Sequence, residues 1–167
     1  SATASAAAGD TIRVRSLIDS VETVGQRSLF GRDPLLHHFL RGLLLARSQE
    51  HEAAVRAFRA ATHSPSQGYT QINAHLARSL LALGRPSEAI PVMRAALRGG
   101  IEGSGLYLTR TEAHELLAQA YDAAGQRDSA TAQFAIVARS WRNADSLLHT
   151  RRDAAQRRSA GTRTSQP

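Results

Sequence analysis

Cysteine is absent from the 167-residue chain, and so is lysine. The first absence excludes disulfides and thiolate metal sites and leaves the redox compartment open. The second means that all 21 basic residues are arginine, a bias that a GC-rich bacterial genome explains without any demand of function. Aromatic residues make up only 5%, and the β-branched, aromatic-rich runs expected of strands are missing. No apolar run approaches the roughly 20 residues needed to span a bilayer, so the chain as given reads as a soluble portion, cytoplasmic or periplasmic. It opens on Ser1 rather than methionine, with no charged segment ahead of an apolar one, which marks either a processing site or a cut boundary. What is there is 42% hydrophobic and 21% charged, enough for one compact domain or one short helical array. Alanine and leucine dominate, an all-α composition.

The chain writes one phrase three times. Ala54, Phe58 and Ala61, then Ala89, Met93 and Ala96, then Ala130, Phe134 and Val137 share a four-then-three spacing. The second and third phrases follow Gly84 and Gly125 by five residues, and Gln49 stands in the glycine's place before the first. The phrase starts are 35 and 41 residues apart, near the roughly 34-residue period of one helix–turn–helix array. Three hairpins are therefore expected, at 35–66, 70–99 and 106–143. In the first, Leu36, Phe39, Leu43 and Leu44 keep helical steps. In the second, Ile72, Leu76, Leu80 and Leu83 form a stripe, and Pro86 with Ser87 marks a new helix start, serine as cap. Pro91 falls in the first turn or so of that helix and should not break it. The third begins at Leu106 or Thr111, turns at Gly125, and takes Asp128 or Ser129 as its second cap. A glycine-rich segment at 99–105 lengthens the last period; without a following Lys-Ser/Thr or a preceding strand it reads as an inter-repeat loop, not a phosphate cradle.

Both ends carry fainter signals. Gly9, Val14, Ile18 and Val21 repeat the spacing of Gly84, Ala89, Met93 and Ala96, so 1–34 reads as a degenerate half repeat, its second helix at 10–26 and its first reduced to 1–8. A repeat cut in half points to a chain excised from a longer protein. At the other end Asp145 is placed to cap a helix with Leu147, Leu148, Ala154 and Ala155 as a thin apolar face. We expect 144–160 to be a polar capping helix and 161–167 a disordered tail.

These residues resemble the tetratricopeptide repeat, whose pattern is W-x-x-L-G-x-x-Y, then A-x-x-x-F and a closing proline. The third copy supplies His114, Leu117, Ala118, Tyr121, Gly125, Ala130, Phe134 and Val137. The second supplies Asn73, Leu76, Ala77, Leu80, Gly84, Ala89, Met93 and Ala96. The first supplies His38, Arg41, Gly42, Leu45, Gln49, Ala54, Phe58 and Ala61, departing at Arg41 and Gln49. The small residues Gly42, Ala77, Ala118, Ala54, Ala89 and Ala130 would let helices approach closely, while Phe58, Met93 and Phe134 fill the gap to the next helix. The resemblance implies a right-handed superhelical α-solenoid of antiparallel hairpins, whose first helices line a concave groove for a peptide or partner helix. Its groove side would include Leu36, Phe39, Leu43 and Arg47 from the first repeat, Gln71, Ala74 and Arg78 from the second, and Glu112, Glu115, Gln119 and Asp122 from the third. The carboxylate clamp of some family members is not expected, because Phe39, Leu43 and Ala74 stand at its places.

The search for chemistry returns little. Seven histidines invite a metal, but His51-Glu52 and His114-Glu115 lack the second histidine of a zinc-protease helix, and His37 and His38 are adjacent, about 100° apart on a helix. Partly buried structural histidines are the better reading of His38 and His114. Glu112 and Glu115 lie one turn apart, as paired carboxylates or as a wet, mildly repulsive face. Tyr121 and Trp141 are assigned to packing, with Trp141 and Tyr107 as alternative anchors at a groove edge. The net charge of +7 favours acidic partners, but only Arg151, Arg152, Arg157, Arg158 and Arg163 are locally dense. We therefore expect a non-catalytic protein-binding scaffold with no metal or cofactor, able to self-associate and belonging to a larger bacterial protein. Two other classes stay open: an anionic-surface or nucleic-acid binder using Arg151, Arg152, Arg157 and Arg158, and an enzyme converging on His38, His75 and His114.

Overall fold

A computed structural model describes residues 10–29, 33–62, 70–98 and 108–160. The expected stub at 1–8, the break at 64–66, the glycine-rich segment at 99–105, Tyr69, Tyr107, Arg163 and the tail at 161–167 lie outside the described residues. Among the described residues the structure is all-helical, with no strand and no helix long and apolar enough to cross a membrane. Eight α-helices occur there: α1 (Thr11–Gly25), α2 (Leu36–Arg47), α3 (His51–Ala61), α4 (Thr70–Ala82), α5 (Pro86–Arg98), α6 (Arg110–Ala123), α7 (Arg127–Ser140) and α8 (Ser146–Ala160). A short 3-10 turn, Asp33–Leu35, precedes α2. The chain divides into two compact units, Ser1–Pro65 with α1 to α3 and Ser66–Pro167 with α4 to α8.

Within each unit helices pack against their neighbours in sequence order. The hairpins α2/α3, α4/α5 and α6/α7 are closed by one shared device. Gln49, Gly84 and Gly125 all adopt left-handed backbone, with φ of 63°, 68° and 73°. In each case the next residue's N–H reaches back to the carbonyl five residues before it: Glu50 to Leu45 at 2.9 Å, Arg85 to Leu80 at 2.9 Å and Gln126 to Tyr121 at 2.9 Å. A second bond joins the left-handed residue to the carbonyl three before it, Ala46, Leu81 or Asp122. This pair of bonds is the Schellman closure, which satisfies carbonyls that a helix end would otherwise orphan. The carbonyls of Glu50, Arg85 and Gln126 then accept the N–H of Ala54, Ala89 and Ala130. One residue thus finishes the turn and starts the next helix, which is the physical content of the five-residue spacing from glycine to alanine.

That economy moves the expected caps. Helix α5 starts at Pro86, with Ser87 inside its first turn, and runs unbroken through Pro91. Helix α7 starts at Arg127, so Gln126 rather than Asp128 or Ser129 is the cap residue, and it makes no side-chain capping bond. The first helix of the third hairpin is capped by Thr109: its hydroxyl accepts from the Glu112 N–H while the Glu112 carboxylate accepts from the Thr109 N–H, a reciprocal capping box.

In the first unit Gly42 is buried beneath Phe58 of α3, and a Cβ there would stand 2.5 Å from the ring. Phe58 is wholly buried and lies 6.0 Å from the Phe39 ring, tilted against it. Helix α1, capped by Asp10 accepting from the Arg13 N–H, sets Val14 and Ile18 against Leu40, with Val21, Leu43 and Leu44 alongside. In the second unit Ala77, Ala89, Met93, Ala118, Ala130 and Phe134 are all buried. Ala118, Ala130, Phe134, Val137 and Trp141 form a core that α8 completes with Ala155 and Leu148. Trp141 is 7% exposed, hence a packing residue. Leu147, expected on the apolar face of α8, is 91% exposed instead. Steps of three and four residues along a helix give Leu148, Arg151, Ala155 and Arg158 one shared face, which leaves Leu147 off it.

Candidate functional site

The first-repeat members of the expected groove are turned to other uses. Phe39 is 2% exposed, packed on Phe58. Leu43 packs on the α1 core, and Leu36 lines a hollow of about 510 Å³ with Val21, Val24, Gly25 and Asp33. Arg47 alone of the four is exposed. Nearby, Glu22 of α1 pairs with Arg41 at 2.9 Å and lies 3.7 Å from His37. His38 lies tilted against His37, 3.9 Å between ring centres. Burial, then His37 and Arg41, hold its imidazole below the ordinary value, against the opposing pull of Glu22.

The second unit brings charged members together. Ala74 is 1% exposed and offers no surface, while Gln71 is half-buried and Arg78 exposed. On α6, Glu112, Glu115, Gln119 and Asp122 follow one stripe at steps of three and four residues. Gln119 and Asp122 are exposed, but the two glutamates are met by Arg151 of α8. One Arg151 nitrogen is 3.4 Å from Glu112 Oε1, and another makes a short contact with Glu115 Oε2. The guanidinium also lies 4.7 Å from the centre of the Trp141 ring, where the ring face favours a cation. Arg158, two turns on, lies 5.1 Å from the Phe134 ring and 4.0 Å from Asp122.

The titration of this cluster follows from its geometry. Burial pushes the Glu112 carboxyl up, but the Thr109 N–H and hydroxyl together with Arg151 outweigh it and hold the group below its ordinary value. Hydrogen bonding to Glu115 raises Arg151 against the cost of its own desolvation. Arg78 is lowered by desolvation, with Glu112 and Glu115 pulling the other way and Arg151 adding to the depression. His75 is brought down to about 4, by burial first and Arg78 second, and is neutral at pH 7. Four charges, two of each sign, thus balance across α4, α6 and α8.

Of the four arginines read as an anion-binding group, Arg151 and Arg158 face inward onto acids and aromatic rings, Arg152 bonds Asp153 at 2.8 Å, and Arg157 is exposed. The signal for Arg151 was absent from the sequence, since an arginine that docks a helix looks like one that solvates it. The Thr109–Glu112 capping box is legible as Thr-x-x-Glu before an apolar stripe, and it sets the helix start at Arg110 rather than at Leu106 or Thr111. His114 is tied to α7, its Nδ1 2.7 Å from Gln133 Oε1. Among the described residues no group of three or more histidines or carboxylates could hold a metal ion. Compared with known proteins, the chain matches no family model, no curated protein and no solved structure.

Proposed function

We propose that the chain is a tetratricopeptide-like interaction module that binds a peptide or partner helix without catalysis, as part of a larger protein. The single observation that carries this reading is the threefold recurrence of one hairpin, closed by the same left-handed turn and buried at the same small residue, Ala54, Ala89 and Ala130. A repeated hairpin packed on elements adjacent or next but one in sequence specifies a surface more readily than a reaction centre. In the second unit the surface best suited to a ligand is the stripe of Gln71, Arg78, Gln119 and Asp122, where polar groups stand open beside the internally paired glutamates. Such a stripe offers donors and acceptors to an extended peptide, with the exposed Asp122, held loosely by Arg158 at 4.0 Å, able to exchange that partner for a basic side chain.

The test is selection of a random peptide library on the folded chain, counter-screened against Gln119→Arg combined with Asp122→Arg. Both positions are exposed, so the variant keeps its helices. Enriched peptides that lose at least about tenfold in affinity for the variant, a difference of 1.4 kcal/mol, support the reading. Peptides bound equally by both proteins, or no enrichment, refute it.

A further inference from the structure

A second hollow, of about 370 Å³, opens where α7 ends and α8 passes it. It is lined by Ala138, Arg139, Arg142, Arg152 and Gln156. Three arginine side chains and one glutamine therefore line a crevice with Ala138 as its apolar wall. Arg152 is steadied by Asp153, whose Oδ1 accepts from its Nε at 2.8 Å. Among the described residues no carboxylate lies within ion-pair distance of Arg139 or Arg142.

Helix electrostatics account for part of this arrangement only. Arg139 stands in the last turn of α7, where the carbonyl ends favour a cation. The same argument does not call for Arg152, which comes from a different helix and sits in its middle. Arg152 arrives already paired with Asp153, so the uncompensated positive charge at the hollow is that of Arg139 and Arg142, and an anion seated beside them would be attracted. The inward face of α8 is occupied by Leu148, Arg151, Ala155 and Arg158. Arg152 and Gln156 follow one residue later on the helix and so emerge together along the flank that meets the end of α7.

We propose that this crevice binds a phosphate monoester dianion. Guanidinium forks match the oxygens of phosphate with paired N–H donors, and the pairing is strongest where charge and geometry coincide. Arg139, Arg142 and Arg152 would grip the three terminal oxygens of one phosphate, and the Gln156 amide would add a donor to one of them. The volume leaves room for the carbon group that carries the ester. Convergence on one hollow suits a single phosphate; a nucleic-acid strand would call for a row of cations with stacking rings between them.

Two probes test the site on the whole chain: inorganic phosphate, titrated calorimetrically at constant ionic strength in chloride, and phosphatidylcholine vesicles doped with phosphatidic acid. Saturable binding is expected, weakened about tenfold or more in Arg139→Gln and in Arg142→Gln, as the loss of a charge-assisted bond implies. Arg157→Gln, on the exposed side of α8, should bind as the parent does. In the unaltered chain the Nε–H resonances of Arg139, Arg142 and Arg152 should shift on titration while that of Arg15 stays fixed, a reading independent of any variant's folding. Response to inorganic phosphate assigns a soluble ester, and response to the vesicles alone assigns a lipid headgroup; both support the site. Absence of saturable binding to either probe, equal loss in Arg157→Gln, or duplex DNA retained equally by parent and Arg142→Gln while neither probe binds would overturn it.

Discussion

Gln49 carries a strain that its two counterparts avoid. At φ near 63° a side chain crowds the backbone by about 1 kcal/mol, which glycine does not feel. Replacing Gln49 by glycine should stabilise the first unit by about 0.5–1 kcal/mol, read as a raised urea midpoint at unchanged slope. Gly84→Ala should cost about 1 kcal/mol through the same term with the sign reversed, since no atom lies near enough to clash with the added methyl. Gly42→Ala belongs to another mechanism, collision with the Phe58 ring, and should destabilise by about 1–3 kcal/mol in the same assay. The sequence showed where small residues recur, because backbone geometry and close approach admit few substitutes. It did not show that Gln49 would hold glycine's conformation.

His75 predicts how the second unit responds to acid. Its folded value of about 4 lies below the ordinary 6.5, so between those limits the unfolded chain binds more protons. The stabilisation is fully present above pH 6.5 and is lost as pH falls towards 4, up to about 3 kcal/mol in all. Glu112, also lowered, adds a loss below the ordinary carboxylate range with the same sign. Denaturation of His75→Gln followed across pH 4–7 should show a flatter profile than the parent, and an unchanged slope would refute the assignment.

At the scale of the element, α8 is the least legible helix. Its length was foreseeable from Asp145 and the periodic alanines, but the face it buries uses two arginine stems where the pattern led one to expect Leu147. Long cationic side chains cover apolar surface while keeping their heads polar, and no hydrophobic count detects that. Arg151→Ala should leave Glu112 and Glu115 repelling each other and Trp141 uncovered. Because Arg151 is 41% exposed, screening limits the expected cost to about 1–2 kcal/mol. Adding Glu115→Gln to that variant should recover part of the loss in a double-mutant cycle. Equal and additive losses would mean that the pair is not coupled.

For the whole molecule, packing between elements close in sequence governs kinetics as much as stability. Within each unit the helix contacts join elements that are adjacent or next but one in sequence, so little loop entropy is spent before contacts form. Refolding should accordingly be complete within milliseconds, as stopped-flow fluorescence of Trp141 can follow; a dominant phase of seconds would contradict it. The all-helical class and the hairpin succession were readable from periodicity because each helix must hide one stripe. The site was readable only in part. Phe39, Leu43 and Ala74 belong to the groove by analogy, whereas tertiary packing buries Phe39 and Ala74 and sets the partly buried Leu43 against the α1 core. Arg139 and Arg142 carry no signal in the sequence, because only folding brings Arg152 to the same hollow.

The residue that ends one helix of a hairpin while starting the next leaves these corners no spare length. One amino acid inserted between Gly84 and Arg85 would turn everything downstream in α5 by about 100°, swinging Met93 out of the core. An affinity tag or epitope placed at any of these three corners should therefore break the two backbone bonds that close the turn before it reaches solvent.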